Sequence, residues 1–303
     1  MKMFISIICL LIGTEVFALG IPQVDRAFLA QKLSQLTGNE PVRVGPESVL
    51  ISERRTRKTK DLALAFLKQE YERLGFTVSI HNYQTGKNLI AEKKGEEDRV
   101  VLVGAHYDAV RGVPGADDDG SGISASLALA QVLGSLSFRY TLRIVAFDEE
   151  ESGLIGSTAY ADTLAEENRL SEIEGIFIMD MVGYDMDEDA AFHVIHCKNG
   201  WDRPINGSDF LTSAIVNAIS VNHINLNLIP TCTWAGSDHQ SFWNAGLPAV
   251  IVTENFFGNE DHEAEANPCY HQSCDTIKLI NMPYLANITQ AVAEAASGLL
   301  IVR

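Results

Sequence analysis

The hydrophobic pattern of this chain switches repeatedly between two periods. Residues 27–36 and 61–74 carry apolar side chains at helical spacing, and the second run stops at Gly75. Residues 76–83 alternate like a half-buried strand, and residues 88–92 pair with it as a hairpin. Residues 100–105 are a continuous apolar run, which predicts a strand covered on both faces, and residues 142–147 and 175–181 read as further, mainly apolar strands. Between them, residues 122–136 read as a buried helix of small residues and residues 157–166 as a second helix. Residues 210–219, 237–245 and 281–301 predict further helices, the last broken near Gly298, and residues 248–253 a further strand. His193 and His196 stand three apart in another expected strand, so they point to opposite faces and read as structural.

Strands alternating with helices predict an α/β fold, a three-layer αβα sandwich around a mostly parallel mixed sheet. Neither an internal repeat nor a Pro- or Ser-rich linker divides the chain, so a single domain is expected. The start is different in kind. Met-Lys-Met, an apolar run over residues 4–12 and small residues before Leu19 predict a secretory signal peptide, residues 1–18. Residues 19–54 then form an N-terminal segment, a short propeptide or a packing helix, ahead of the main domain at residues 55–303.

Charge and cysteine content narrow the function classes. The formal charge is −17, and removing residues 1–18 leaves it unchanged because Lys2 and Glu15 cancel. So acidic a surface disfavours nucleic acid and anionic membranes as partners. Four cysteines follow the signal segment, and an oxidising compartment would allow two disulfides. Cys269 and Cys274 are close enough to pair around His271; Cys197 with Cys232 follows by elimination.

The acids are not evenly spread. Residues 142–147 run straight into Asp148-Glu149-Glu150-Glu151. Four carboxylates at the end of a buried strand repel one another and lose hydration, which a bound cation relieves. Two more apolar strands end on metal-ligand residue types, at His106-Tyr107-Asp108 and at Asp180. In open α/β sheets ligands collect at the carboxyl ends of the strands. The candidate metal ligands are His106, Asp118, Glu151, Asp180 and His271. Carboxylates and imidazoles without thiolate suit a hydrolytic zinc site, and five ligands suit two ions sharing one carboxylate. Asp118, in a glycine-flanked row of three acids, is the candidate bridge. Glu150, beside a metal-binding neighbour in an extended strand end, is the candidate general base, and Glu149 an exposed acid capping the next helix.

Taken together, His106-Tyr107-Asp108, Gly115 through Gly122, Glu150-Glu151-Ser152-Gly153, Asp180-Met181 and Cys269-Tyr270-His271 resemble the secreted bacterial two-zinc aminopeptidases of the leucyl aminopeptidase type, metallopeptidase family twenty-eight. The resemblance runs from about Arg55 to the C-terminus. It implies a monomeric, secreted (extracellular or periplasmic) enzyme with two zinc ions per chain and peptide substrates bearing a free N-terminus. Hydrolysis would use a metal-bridged hydroxide with Glu150 as general base. The resemblance implies Asp118 as bridge, His106 and Asp180 on one zinc, and Glu151 and His271 on the other. It further implies Asp108 as the acid orienting His106, Ser237 near His271, Tyr270 as oxyanion donor, and a cis peptide at Asp118–Asp119. The chain departs from some members at Trp234 and Gly236, where they carry the oxyanion tyrosine and a second cysteine; this favours Tyr270 for the role.

Two other readings stay open: a glutaminyl-peptide cyclotransferase of the same fold using one zinc, and a non-catalytic binding protein. Trp234, Phe256 and Phe257 read equally as the lining of an apolar specificity pocket and as core packing, and Glu254 would select basic side chains if it faced the pocket. The acids of residues 185–189 read as a solvated turn, with calcium as the alternative. His239 reads as a helix support.

Overall fold

The computed structural model describes residues 21–198, 204–233 and 236–301. The expected signal peptide and Trp234 lie outside the described residues. The elements follow the hydrophobic pattern closely. After helix α1 (Arg26–Leu36) and a short hairpin of β1 (Val42–Val44) and β2 (Glu47–Val49) come α2 (Arg57–Arg73), β3 (Thr77–Asn82), β4 (Lys87–Lys93) and β5 (Val100–His106). The chain continues through α3 (Gly120–Leu133), β6 (Thr141–Phe147), α4 (Ile155–Glu166) and β7 (Ile173–Met179). Then follow β8 (Ala191–Cys197), α5 (Asp209–Asn222), β9 (Asn227–Cys232), α6 (His239–Asn244), β10 (Ala249–Glu254) and α7 (Met282–Leu300).

Eight strands form one mixed sheet in the order β3-β4-β6-β5-β7-β10-β8-β9. The centre is parallel, β6 with β5, β5 with β7 and β7 with β10. The hairpin β3–β4 joins it antiparallel, and β8 runs antiparallel to β10. Successive side chains on a strand face opposite layers. On β5, Val101, Val103 and Ala105 pack under α1, α2, α3, α5 and α7, while Val100 and Leu102 pack against α4 and α6. The α1 helix belongs to the first layer, its Leu29, Leu33 and Leu36 buried in the core.

The continuous apolar runs became the central strands, as two-sided burial demands. Two expectations need correction. Gly298 does not break the last helix, which runs uninterrupted to Leu300; its apolar face packs along α3 and α5 and holds the turn together. The strand β9 was not expected: Asn227–Cys232 carries Asn, Pro and Cys, and its strand form comes from pairing with β8 at the sheet edge.

Chain order and spatial order part at one place. β5 is followed through α3 by β6 on one side, and β6 is followed through α4 by β7 on the other side of β5. The crevice between the carboxyl ends of β5 and β7 is therefore left open, as at other such switch points.

His239, at the start of α6, is fully buried, and neither of its ring nitrogens has a hydrogen-bond partner. Its ring meets Trp243 edge-on, with centroids 4.4 Å apart. Burial lowers its pKa from 6.5 to about 3. The folded state thus refuses a proton that the unfolded chain takes up below pH 6.5, so stability from this residue falls as pH drops toward 3. His239→Leu should gain on the wild type by about 1.4 kcal/mol per pH unit below the unfolded pKa. Urea unfolding of both proteins at stepwise lower pH measures the slope.

Candidate active site

The expected ligands converge at that crevice. His106 ends β5 and Asp180 follows β7 on the neighbouring strand, with His106 Nε2 3.6 Å from Asp180 Oδ1. Asp118 comes from the loop before α3 and lies between two histidines. Its Oδ1 is 3.1 Å from His106 Nε2, and its Oδ2 is 3.1 Å from His271 Nε2. His271 Nε2 is also 3.1 Å from Glu151 Oε2. Two trios result, His106–Asp118–Asp180 and Asp118–Glu151–His271, each with its ligand atoms within 4.8 Å of one another, and Asp118 is common to both.

The loop holding Asp118 is pinned from several directions. Asp119 caps α3 by accepting from Gly122 N at 2.8 Å, and its other oxygen accepts from His106 N at 3.1 Å. One carboxylate thus locks the end of β5 to the start of α3. The Asp118–Asp119 peptide is cis. Asp275, four residues beyond His271, accepts from Asp117 N at 2.9 Å and from Asp118 N at 3.2 Å. Arg54 is fully buried and donates to the carbonyls of Leu36, Tyr107, Pro114 and Gly115. Gly115 has φ +61°, and a Cβ there would overlap the Asp118 carbonyl. Sequence reading passed over Arg54 and Asp275; an arginine just before the first long helix and an aspartate after the His271 loop are the only signals they offer.

Glu150 and Glu151 lie in a 3-10 turn, Glu150–Ser152, rather than in an extended strand end. Glu149 adopts φ 60° and starts that turn, so the direction of the chain reverses between Asp148 and Glu150. The four acids are divided accordingly. Asp148 pairs with Lys60 at 2.8 Å, and Glu149 pairs with Lys60 at 3.3 Å and accepts from Thr85. Glu149 makes no side-chain bond to the next helix. Only Glu150 and Glu151 turn toward the ligand trios. Asp108 links the halves: its Oδ1 is 3.5 Å from His106 Nδ1 and accepts from Glu150 N at 3.1 Å.

Electrostatics mark the same spot. Burial, with Asp180, Asp238 and Asp118 nearby, pushes Glu150 up to about 10 against the pull of His106. Burial and Asp118 raise Glu151 to about 7. Burial alone would raise Asp118, but hydrogen bonds from His106 and His271 hold it well below the usual carboxylate range. Glu151 Oε1 is buried without a partner.

A cleft of about 280 Å³ opens over the trios, lined by Asp118, Glu150, Asp180 and His271 on its polar side. Met181, Ile251, Phe256, Phe257 and Tyr270 line the other side. Tyr270 stacks on His271 with centroids 3.8 Å apart, inside the loop closed by Cys269–Cys274. Cys197 is bonded to Cys232. Ser237 donates to Asp180 Oδ2 at 2.6 Å and lines the same cleft as His271. Glu254 is fully buried and accepts from Asn267 N; it does not face the cleft, because β10 turns it into the polar network around Asp117. The carboxylates of Asp185, Asp187 and Asp189 lie together but accept from backbone amides of their own turn.

Residues 88–296 match Peptidase family M28. The chain belongs to that family. Over 213 residues it is 32% identical to Aminopeptidase Y of Saccharomyces cerevisiae, covering 70% of this chain and 38% of that protein. The solved structure of BSAP, a zinc aminopeptidase from Bacillus subtilis, superposes with TM-score 0.62 at 30% identity, over 72% of this chain and 50% of that one. Glutaminyl cyclase of Porphyromonas gingivalis shares the fold, with TM-score 0.71 at 18% identity over 91% of this chain and 99% of that one. The chain spans between 38% and 52% of the length of the first curated relatives it matches.

The Lys60 contacts explain how two unused acids are tolerated beside the site. Lys60→Met would strand Asp148, a nearly buried carboxylate, and should cost about 2–4 kcal/mol. Thermal unfolding should show the loss.

Proposed function

We propose that this chain is a zinc-dependent aminopeptidase that removes single residues from the free N-terminus of peptides. The observation that carries the reading is the pair of ligand trios sharing the Asp118 carboxylate. The residues fit zinc. The donors are imidazole nitrogens and carboxylate oxygens, the four described cysteines are tied up in disulfides, and Glu151 Oε1 is buried with nothing bonded to it. Burial and the neighbouring aspartates keep Glu150 and Glu151 from ionising, a conflict that a cation would resolve.

His106, Asp118 and Asp180 would hold one ion and Asp118, Glu151 and His271 a second. Bound zinc would supply Lewis-acid polarisation of the scissile carbonyl and an ionised water at neutral pH. The chain's own residues do the rest. Glu150 lines the cleft without belonging to either trio, so it is free to take a proton and return it to the leaving amine. Tyr270 would donate to the carbonyl oxygen as it gains charge, a role supported by its position on the cleft wall against His271. Asp108 is a positioning residue, holding His106 and the Glu150 backbone in register. The apolar wall favours an apolar first residue in the substrate.

Residues 1–18 act as a signal peptide, residues 19–54 pack the N-terminal helix, and residues 55–303 carry the peptidase chemistry in a monomer. Two disulfides support export, extracellular or periplasmic, and no described helix is long and apolar enough to cross a membrane. The charge of −17 weighs against nucleic acid and anionic membranes as partners. A one-zinc cyclotransferase would leave the second trio without purpose.

Chelation should abolish hydrolysis of aminoacyl 4-nitroanilides, and zinc should restore it at close to two ions per chain by elemental analysis. Glu150→Ala should lower kcat by about 10²–10⁴-fold with zinc content unchanged. An active Glu150→Ala protein would remove Glu150 from its role, and one zinc per chain would move the reading to the cyclotransferase. Zinc must displace the proton from the raised Glu151 carboxyl, so its affinity should rise with pH between 5 and 7, read by calorimetry as proton release on binding.

A further inference from the structure

Phe257 lines the cleft but is 48% exposed, so packing alone does not hold its ring. Its anchor is in the backbone. Phe257 N–H donates to His193 Nε2 at 3.1 Å. His193 lies mid-strand on β8, fully buried, opposite the cleft residue Thr253 on β10. Its Nδ1 is 2.6 Å from Thr231 Oγ1, which itself donates to Ile229 O at 3.1 Å. Because Nε2 accepts from an amide, the ring proton sits on Nδ1 and is donated to Thr231. Burial lowers the pKa to about 4, so the ring is neutral and keeps that tautomer.

The imidazole also packs on the Phe257 ring, with centroids 5.4 Å apart. From there the aromatic row continues to Phe256 at 6.0 Å, Tyr270 at 6.2 Å and the ligand His271 at 3.8 Å. One end of the wall is therefore tied to the metal-ligand loop, and the other to a buried imidazole in the sheet.

We propose that His193 is a positioning residue for specificity: by holding the Phe257 N–H and ring, it sets the wall against which an apolar first side chain of the substrate packs. This rests on the aminopeptidase reading. Without the imidazole, the Phe257 amide loses its acceptor and the turn loses its tie to β8. A leucine or phenylalanine side chain then meets a wall that has moved, whereas alanine is too short to reach it. The proton transfer at Glu150 is untouched, so the effect belongs in KM and not in kcat.

The test is steady-state kinetics of the zinc-loaded full chain on leucine, phenylalanine and alanine 4-nitroanilides. His193→Ala should raise KM for the leucine and phenylalanine substrates about tenfold, while KM for alanine and all three kcat values stay within about twofold. His193→Gln, whose side-chain carbonyl can accept from Phe257 N–H, should recover most of the loss. Phe257→Ala, a change at a half-exposed site, should give the same KM pattern, and the double variant should be no worse than either single. An active wild type with His193→Ala and Phe257→Ala showing unchanged KM ratios overturns the inference alone. So does a His193→Ala protein that loses kcat on all three substrates together with its zinc, which is the pattern of general structural damage. A zinc-loaded wild type inactive on all three substrates overturns the aminopeptidase reading and this inference with it.

Discussion

The convergence of negative charge on the Asp118 carboxylate is the constraint around which the rest of the molecule is arranged. A carboxylate buried between two imidazoles, with Glu151 and Asp180 a few ångströms away, cannot be placed by side-chain packing alone. Its own backbone is held instead. Asp275 takes the amides of Asp117 and Asp118, Asp119 ties the loop to β5, and Arg54 gathers the carbonyls of the preceding loop. A buried arginine whose hydrogen bonds run to carbonyls of three separate stretches works as a rigid strut. Its charge also lies beneath the acids, which offsets part of their mutual repulsion.

Sheet topology explains why the charge gathers at this point. The mainly apolar strands β5, β6 and β7 are covered on both faces, and the carboxylates and imidazole of the site fall at their carboxyl ends. The crossover from β6 to β7 passes over β5 and leaves a crevice where His106 and Asp180 sit side by side. The Glu150–Ser152 turn closes one flank, and the loop joined by Cys269 and Cys274 closes the other with His271. Asp275 stands one residue beyond that disulfide and bonds the Asp118 backbone, so the loop that brings His271 also grips the loop that brings Asp118.

The surrounding acids are sorted by partner. Lys60 neutralises Asp148 and Glu149 on the outer side of the turn. Glu254 and Asp117 are enclosed together: Asp117 accepts from the Asn267 side chain and the Gly183 amide, and one Glu254 oxygen accepts from Asn267 N. The opposite wall of the cleft is aromatic, and its geometry is borrowed from both the sheet, through His193, and the ligand loop, through Tyr270.

Sequence alone determined the layers and the chemistry of the ligands. Mainly apolar runs ending in His106, Asp148 and Asp180 demand buried strands with polar carboxyl ends, because an unpaired charge is not tolerated inside the sheet; the one charge within these runs, Arg143, is paired with Glu92. The residue types, imidazole and carboxylate without thiolate, follow from the letters themselves. What the letters could not carry was direction. Glu149 and Glu150 are neighbours in sequence, but a positive φ at Glu149 sends one to Lys60 and the other to the cleft. Glu254 ends an apolar strand just as His106 does, yet its register aims it into the interior. Ser237 finds its hydrogen-bond partner in Asp180, and Cys232 pairs from an edge strand with a weak pattern of its own. Backbone turns and strand pairing between distant segments make these choices. They depend on contacts across the whole chain, so only the tertiary structure decides them.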